Sequence, residues 1–580
     1  MILLNHITRA KRLKYMKRYY LSIIHHSLFI TLLMTAMSCS DFFDPESKSV
    51  IKTDEQSYSS ELEARSGLFG LLQGLQQIGD NYVLMGELRG DLMTVTDNSS
   101  QELRDINNHD IDTTNNYLKK REYYSLINNC NYYIQHLDTA VTKLQTGKAV
   151  QILRPYMAQA KAIRAWTYLN LCLDYGYVEY TDKPLLSVDD HTSKRLTLES
   201  LADILITDLK TAKEWLPTWS STTDAAGYSD PGFTSSVSYE SYEAKQLLLP
   251  LDFVLGELYM WKQDFSNAVQ CYYNLILHNQ LRLCQYRNSY DSSGTIVSTQ
   301  NWKNQFSNFN YIDILFAIVF SDEYADGKSA LYTMANTDYT IAPSQALIDD
   351  FNACEYYDNN KTIIGDLRGL YGTYTLKSAV NGQQSSSDAQ YPYISKYGYM
   401  MASSKYYISP CRGSLVWLRY AECLNRLGKP RIAFYGFMRF GLCAKQINYY
   451  KSYFGDELTD ESWLDFGQKN EDGDIANVFK SNTLGFHSRG CGNTEMNITY
   501  AFKDGLADKQ DSILWVEEQL VNEYALETAF EGNRFHDLMR ISRYRNDNSF
   551  LAEKVASKFN NAEKNTIMTK LLDEHNWYLK

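Results

Sequence analysis

The feature that most limits how this chain can fold is a helical spacing of apolar residues that recurs through most of its 580 residues. The segment TLESLADILITDLKTAKEWLP shows it well. Leu198, Leu201, Leu205, Leu209, Ala212 and Leu216 line up as one stripe. Thr197 stands at the N-cap position, Glu199 suits the positive end, Lys210 and Lys213 suit the negative end, and Pro217 stops the helix. Such helices recur as pairs. In LGELYMWKQDFSNAVQCYYNLIL, the residues Leu255, Gly256, Tyr259, Ala268 and Tyr272 follow the tetratricopeptide spacing. Small residues at 256 and 268 let two helices approach closely. WLRYAECLNRLGKPRIAFYGF places Ala421, Ala433 and Phe437 at the same offsets, and AQAKAIRAWTYLNLCLDYG reads as another helix of this type. The units are scattered along the chain, so the expected fold is mostly α: a tetratricopeptide-like helix-pair scaffold with long loop insertions. Residues 217–243, 285–310 and 371–410 are the expected insertions, rich in Ser, Thr, Asn, Gly and Tyr.

Composition narrows the class further. A chain that is 44% hydrophobic and 22% charged can bury a core, which excludes disorder. The 57 Lys and Arg against 69 Asp and Glu leave a formal charge of −12, which excludes phosphate-backbone binding as the main activity; no nucleic-acid partner is expected. No H-E-x-x-H, G-x-S-x-G or phosphate-cradling glycine loop is present, so neither a metal nor a cofactor is expected. The acidic runs at 108–112 and 471–474 do not follow a calcium loop and read as solvated loops.

The N-terminus has the layout of a secretory signal. Arg9, Lys11, Arg12, Lys14, Lys17 and Arg18 precede an apolar stretch clearest from Leu28 to Met37, and Ala36-Met37-Ser38-Cys39 follows. Met16 opens a signal of more usual length. Cys39 after Ser38 resembles a lipobox, with Ala36 where Leu is usual, in which the Cys is acylated and anchors the protein. Nine further Cys show neither a zinc spacing nor a disulfide framework.

A series of motifs then occurs in order along the chain: CSDFFD, GELRGDLM, YYSLINNCNYYI, AKAIRAWTYLNLCLDYG, Pro184-Leu185, Trp302 with Phe306, and LRYAECLNRLG. The series closes with LVNEYALETAFEGNRFHDLMRISRY and NWYL. From Cys39 to the C-terminus these resemble the SusD/RagB family of Bacteroidetes nutrient-binding lipoproteins. Glu523-Tyr524 stands where the family often has Glu-Arg. The resemblance implies a signal peptide at 1–38, an N-terminal helical part at 39–250, and a C-terminal part at 251–580 packed with it as one body. It also implies an outer-membrane location, lipid-anchored and facing the cell exterior. The implied role is a lid on a SusC-like, TonB-dependent transporter that captures a glycan, or in some members a peptide, and breaks no bond.

Two sets of residues could carry chemistry. In LVNEYALETAFEGNRFHDLMR, Glu523, Glu527 and Glu531 lie at i, i+4 spacing, with Arg534, Asp537 and Arg540 following. A carboxylate pair could serve a surface glycosidase. Arg beside carboxylates instead favours ionised, structural pairs, so no catalytic residue is assigned. The second set is aromatic. The chain has 46 Tyr, 24 Phe and 9 Trp, and those in polar loops have no core to fill. Sugar rings present apolar C–H faces and hydroxyls, which suit aromatic platforms flanked by amides and carboxylates. Tyr290, Asp291, Trp302, Asn304, Phe309 and Tyr311 are therefore the candidate ligand residues. Trp302 and Phe306 also match a motif that could anchor the loop.

Overall fold

The helical stripes of the sequence become a continuous stack. The computed structural model describes residues 58–145, 148–187, 193–214, 244–279, 281, 289–290, 296–298, 300–307, 313–321, 329–358, 361–380, 383–384, 390–400, 405–467, 485–491 and 500–580. Its first helix, α1 (Glu61–Glu87), opens on a capping box in which the Ser60 side chain accepts from the Glu63 N–H while the Glu63 side chain accepts from Ser60. The helices α2 (Lys120–His136), α3 (Arg154–Tyr175), α4 (Leu198–Lys213), α5 (Leu251–Trp261) and α6 (Phe265–His278) follow, each packed on its predecessor. Next come α7 (Gln300–Ser307), α8 (Gln345–Ala353), α9 (Ser395–Tyr399), α10 (Gly413–Arg426), α11 (Phe486–Cys491) and α12 (Lys509–Thr528). The last are α13 (Arg534–Arg545), α14 (Asn548–Ala556) and α15 (Asn561–Leu571).

Helix α6 packs on α10, and α10 on α12. Units that are scattered in sequence are thus neighbours in space, and the chain between α6 and α10 is an insertion into the stack. Burial follows the stripes. Leu198, Leu201, Leu205, Leu209 and Ala212 of α4 are all buried, as are Ala268, Ala421, Ala433 and Phe437 of the tetratricopeptide-like pairs. Thr197 occupies the N-cap of α4 without a side-chain capping bond. Gly256 is required by close approach: a Cβ there would lie 2.7 Å from the Tyr272 ring, whose hydroxyl donates to Glu257 at 2.7 Å. Gly176 ends α3 in the left-handed conformation, with the Tyr578 ring against it.

The insertion contains more order than its composition suggests. Strand β1 (Ile314–Ser321) pairs antiparallel with a strand inside the expected 371–410 loop. That loop holds β2 (Tyr374–Lys377), β3 (Tyr391–Ile394) and β4 (Lys405–Arg412), besides α9. β2 pairs with β3, and β4 pairs with β1 through a bulge between Ile408 and Cys411. Its polar and tyrosine-rich composition conceals short strands half-covered by the body. The expected 217–243 loop lies outside the described residues, and Tyr58–Lys580 form one compact unit. Among the described residues no helix is long and apolar enough to cross a membrane.

Candidate functional site

The motifs that run in order along the sequence meet in three dimensions. Glu87 of α1 receives the backbone N–H groups of Phe530, Gly532 and Asn533 at 3.0, 2.8 and 3.2 Å. This turn needs glycine at 532, where φ is +97° and a Cβ would lie 2.5 Å from Tyr82. Burial pushes the Glu87 carboxyl up to about 7, opposed by those N–H donors. Two residues past Glu87, Arg89 pairs with Asp174 of α3, lies 4.1 Å over Phe535 and donates to the Trp577 carbonyl. Asp91 takes Arg534 in a bidentate pair at 2.6 and 2.7 Å. GELRGDLM, the α3 motif, FEGNRFH and NWYL are thus one contact set.

Beside it lies a fully buried ion network. Glu523 and Glu527 of α12 and Glu531 just beyond it face Arg368, Lys396, Arg412 and Arg489. Arg368 spans Asp366 at 2.7 Å and both Glu523 and Glu527 at 3.0 Å. Arg412 spans Asp313 at 2.7 Å, Glu527 at 3.2 Å and Glu531 at 3.0 Å. Desolvation opposes ionisation of Glu527, but Arg489, Arg412 and Arg368 win and hold its carboxyl far below the usual range. Burial opposes ionisation of Glu523 too, but Arg368 and His487 outweigh it and lower its carboxyl. The ionised, structural reading of these carboxylates therefore holds, but with different partners. The sequence suggested Arg534 and Arg540, whereas Arg534 serves Asp91, and Arg540 serves Asp537 and Glu422. The true cations come from segments more than a hundred residues away or from α11, and no local pattern marks them.

The ion network reaches the aromatic candidates through α7. Trp302 and Phe306 are each 1% exposed and meet edge to face at 5.1 Å. The Lys396 ammonium lies 5.3 Å from the Trp302 ring centre and 4.7 Å from that of Phe306, and Arg412 lies 5.4 Å from Phe306. The Gly372 backbone covers the indole, since a Cβ there would lie 2.9 Å from Trp302 Cδ1. A ring enclosed in this way has no face for a ligand. Trp302 is the anchor of its segment, and its reading as a stacking platform is corrected.

The remaining candidates are placed unequally. Asn304 is partly exposed on α7. Tyr290 lies in a two-residue strand, Ser289–Tyr290, paired with Ile296–Ser298, and its side chain is outside the description. Asp291, Phe309 and Tyr311 lie outside the described residues. The structure adds two aromatic residues beside α7. Tyr371 is 57% exposed and held at φ +63°. Tyr399 of α9 donates its hydroxyl to the Tyr371 carbonyl at 2.8 Å, and Lys303 of α7 lies 5.4 Å over the Tyr399 ring. A positive φ on a tyrosine is uncommon enough to mark the position. Sequence alone offered only their polar surroundings.

The arrangement defines a helix-stack body that presents an aromatic, hydrogen-bonding face on an ordered insertion. The sequence profile of the SusD-like_3 family, described as "Starch-binding associating with outer membrane", matches residues 46–229. The fold is shared with solved structures. A SusD superfamily protein from Bacteroides vulgatus ATCC 8482 is similar at 15% identity and a TM-score of 0.55, over 89% of this chain and 94% of that one. A SusD superfamily protein from Bacteroides thetaiotaomicron VPI-5482 is similar at 16% identity and a TM-score of 0.51, over 90% and 95%. A SusD-like carbohydrate binding protein from Bacteroides fragilis NCTC 9343 is similar at 15% identity and a TM-score of 0.52, over 85% and 88%. No curated protein sequence matches the chain. The chain has the SusD fold, and its residues 46–229 match the SusD-like_3 family model.

Two outcomes follow from the packing. Trp302→Ala removes a buried indole that also covers Lys396, and should destabilise the protein by about 3–5 kcal/mol, read by denaturant unfolding. A melting temperature equal to wild type would contradict the anchoring role. The pH dependence has a fixed sign. Glu523, Glu527, Asp91 and Asp537 have folded carboxyls below their ordinary values of 4.5 and 3.8, so their stabilisation is full above those values. It is lost as pH falls through the folded values. Thermal unfolding followed from pH 6 to pH 2, an acid range of about four units, should show a steep loss below the ordinary carboxylate range.

Proposed function

We propose that this protein is an outer-membrane lipoprotein of the cell surface that captures an oligosaccharide and hands it, unaltered, to a SusC-like TonB-dependent transporter. The observation that carries the reading is the SusD fold, covering 89% of the chain, joined to an exposed aromatic face with amide and ammonium neighbours. The family description and the carbohydrate-binding relative support a glycan as ligand. Aromatic rings stack on the C–H faces of sugars while Asn304 and Lys303 take hydroxyls. Tyr371 and Tyr399 join Tyr290, Asp291, Asn304, Phe309 and Tyr311 as the proposed ligand residues, and Trp302 anchors α7 from within the core. Binding without cleavage is favoured because the α12 carboxylates are ionised, buried and paired. A general acid needs a raised pKa and access to the substrate, and the carboxyls of Glu87 and Glu457, both pushed up to about 7 by burial, are buried.

Tyr371→Ala should weaken binding on a glycan panel by about 1 kcal/mol or more, with unfolding unchanged. Unaltered affinity would remove this face as the site. Membrane attachment is assigned to acylated Cys39, and uptake to the partner. Cys39→Ala should move the protein to the soluble fraction, and wild type extracted in mild detergent should bring a SusC-type β-barrel with it. Recovery of this chain alone would count against the partnership.

A further inference from the structure

The surface around the start of α2 breaks the charge pattern of the rest of the chain. Lys119, Lys120 and Arg121 open α2, and Lys194 and Arg195 lie on a short strand, Lys194–Leu196, paired antiparallel with Val178–Tyr180. Tyr177 joins the two groups, with the Arg195 guanidinium 3.6 Å from its ring centre and the Lys120 ammonium 5.1 Å. The chain has a formal charge of −12, yet among the described residues none of these five cations has an ion pair. Glu122 and Glu179 belong to the same elements without pairing to any of them, and Glu179 accepts from the Ser193 hydroxyl instead. Asp189 and Asp190 lie outside the described residues. The arrangement is locally unfavourable, because Lys119 supplies no side-chain capping bond and three cations stand at the positive end of the helix dipole. Local rules are broken in this way mainly where function requires it.

An apolar feature lies along the same helix. Positions 120, 124, 128 and 131 fall on one side of α2 and hold the segment that follows α3. Lys120 meets Tyr175 and Tyr177, and the Tyr124 hydroxyl accepts from the Glu179 N–H at 2.8 Å. Asn131 donates to the Thr181 and Lys183 carbonyls, and Asn128 takes both backbone groups of Leu185. That grip leaves Leu185 and Leu186 37% and 60% exposed. Asn128 lies about 12 Å along the helix from Lys120.

Exposed leucine beside unpaired cations suits a surface that is anionic at its face and apolar just beneath. The outer-membrane association named for the family matched over residues 46–229 supports the same occupant. The tether permits it. Tyr58, the first residue of the compact body, lies nineteen residues after Cys39 and donates its N–H to the His136 carbonyl at the other end of α2. Nineteen extended residues span at most about 65 Å, against about 25 Å for the length of α2, so an acylated Cys39 leaves the start of α2 within reach of the bilayer. We infer that the start of α2 and its neighbouring strand pair dock the body on an anionic lipid surface, with the five cations among headgroup phosphates and Leu185 and Leu186 at the acyl boundary. A one-point anchor leaves the body free to turn, and this second contact fixes which face meets the membrane. The tether argument rests on the acylation of Cys39 proposed above, whereas the patch does not.

The test uses the chain from residue 39 carrying Cys39→Ala, which holds the whole compact body and no acyl group. Its co-sedimentation is measured on phosphatidylcholine vesicles with and without phosphatidylglycerol. Binding should be at least about tenfold tighter with phosphatidylglycerol, and high salt should abolish the difference. Arg121→Glu with Lys194→Glu, both exposed, should lower that affinity by at least about tenfold with thermal unfolding unchanged. Leu186→Ser should weaken binding severalfold and leave its salt dependence intact. Equal binding to both vesicle types, no binding to either, or no loss in the charge variant would overturn the inference. So would heparin, a soluble acidic polysaccharide, binding more tightly than the vesicles and unaffected by Leu186→Ser, since that result makes the patch a glycan site. Cell fractionation reads the anchor separately, because salt releases the patch but not an acyl chain. In high salt, wild type should stay with the membranes and Cys39→Ala should not. Release of wild type as well would remove the anchor and leave the vesicle result standing.

Discussion

Glu527 has no exposure and three arginines converge on it, from Arg368, Arg412 and Arg489. Arg368 and Arg412 reach it from the insertion and Arg489 from α11. A buried ion costs several kcal/mol in lost hydration, which is recovered only when geometry is tight and the other lone pairs and protons are also satisfied. The structure meets that demand by extension: Arg412 passes to Asp313 and Glu531, Glu531 to Lys396, and Lys396 to the Trp302 and Phe306 rings. The insertion between α6 and α10 therefore docks on the helix stack by charge as much as by apolar contact.

That docking is what gives the proposed ligand face its position. Helix α7 is short, and its two large apolar side chains are spent on the cationic core. Asn304 and Lys303 are left toward the outside, next to Tyr399 and Tyr371. The left-handed backbone at Tyr371 is tolerated because Gly369, Gly372 and the Arg368 carbonyl hold the turn against Trp302.

Much of this was legible in the sequence. The α4 stripe, the Gly256–Tyr272 approach and the helix pairs all read from spacing, because packing of one helix on its neighbour is a local pattern. The structural character of Glu523, Glu527 and Glu531 was legible from their charged surroundings, but their partners were not. Arg368, Lys396 and Arg412 sit in tyrosine-rich segments with weak periodicity, and only the fold brings them to α12. Trp302 was ambiguous for a related reason. An indole in a polar segment fits either a platform or an anchor, and the deciding neighbours, Lys396 and Gly372, are seventy or more residues away. The 371–410 segment misled because strands two to eight residues long leave almost no alternation to detect.

The position of α12 along the chain has a consequence for the order of assembly. The cations at 368, 396, 412 and 489 are all synthesised before the carboxylates at 523, 527 and 531. Until the last sixty or so residues are made, Arg368 and Arg412 have only Asp366 and Asp313, while Lys396 and Arg489 lack their carboxylates, and an unpaired ion is unfavourable by about 3–5 kcal/mol if enclosed. A partial chain can build the early helix stack from neighbour contacts, but closing the insertion onto it lacks the carboxylates of α12 and Glu531. The charge network is thus completed only by the end of the polypeptide.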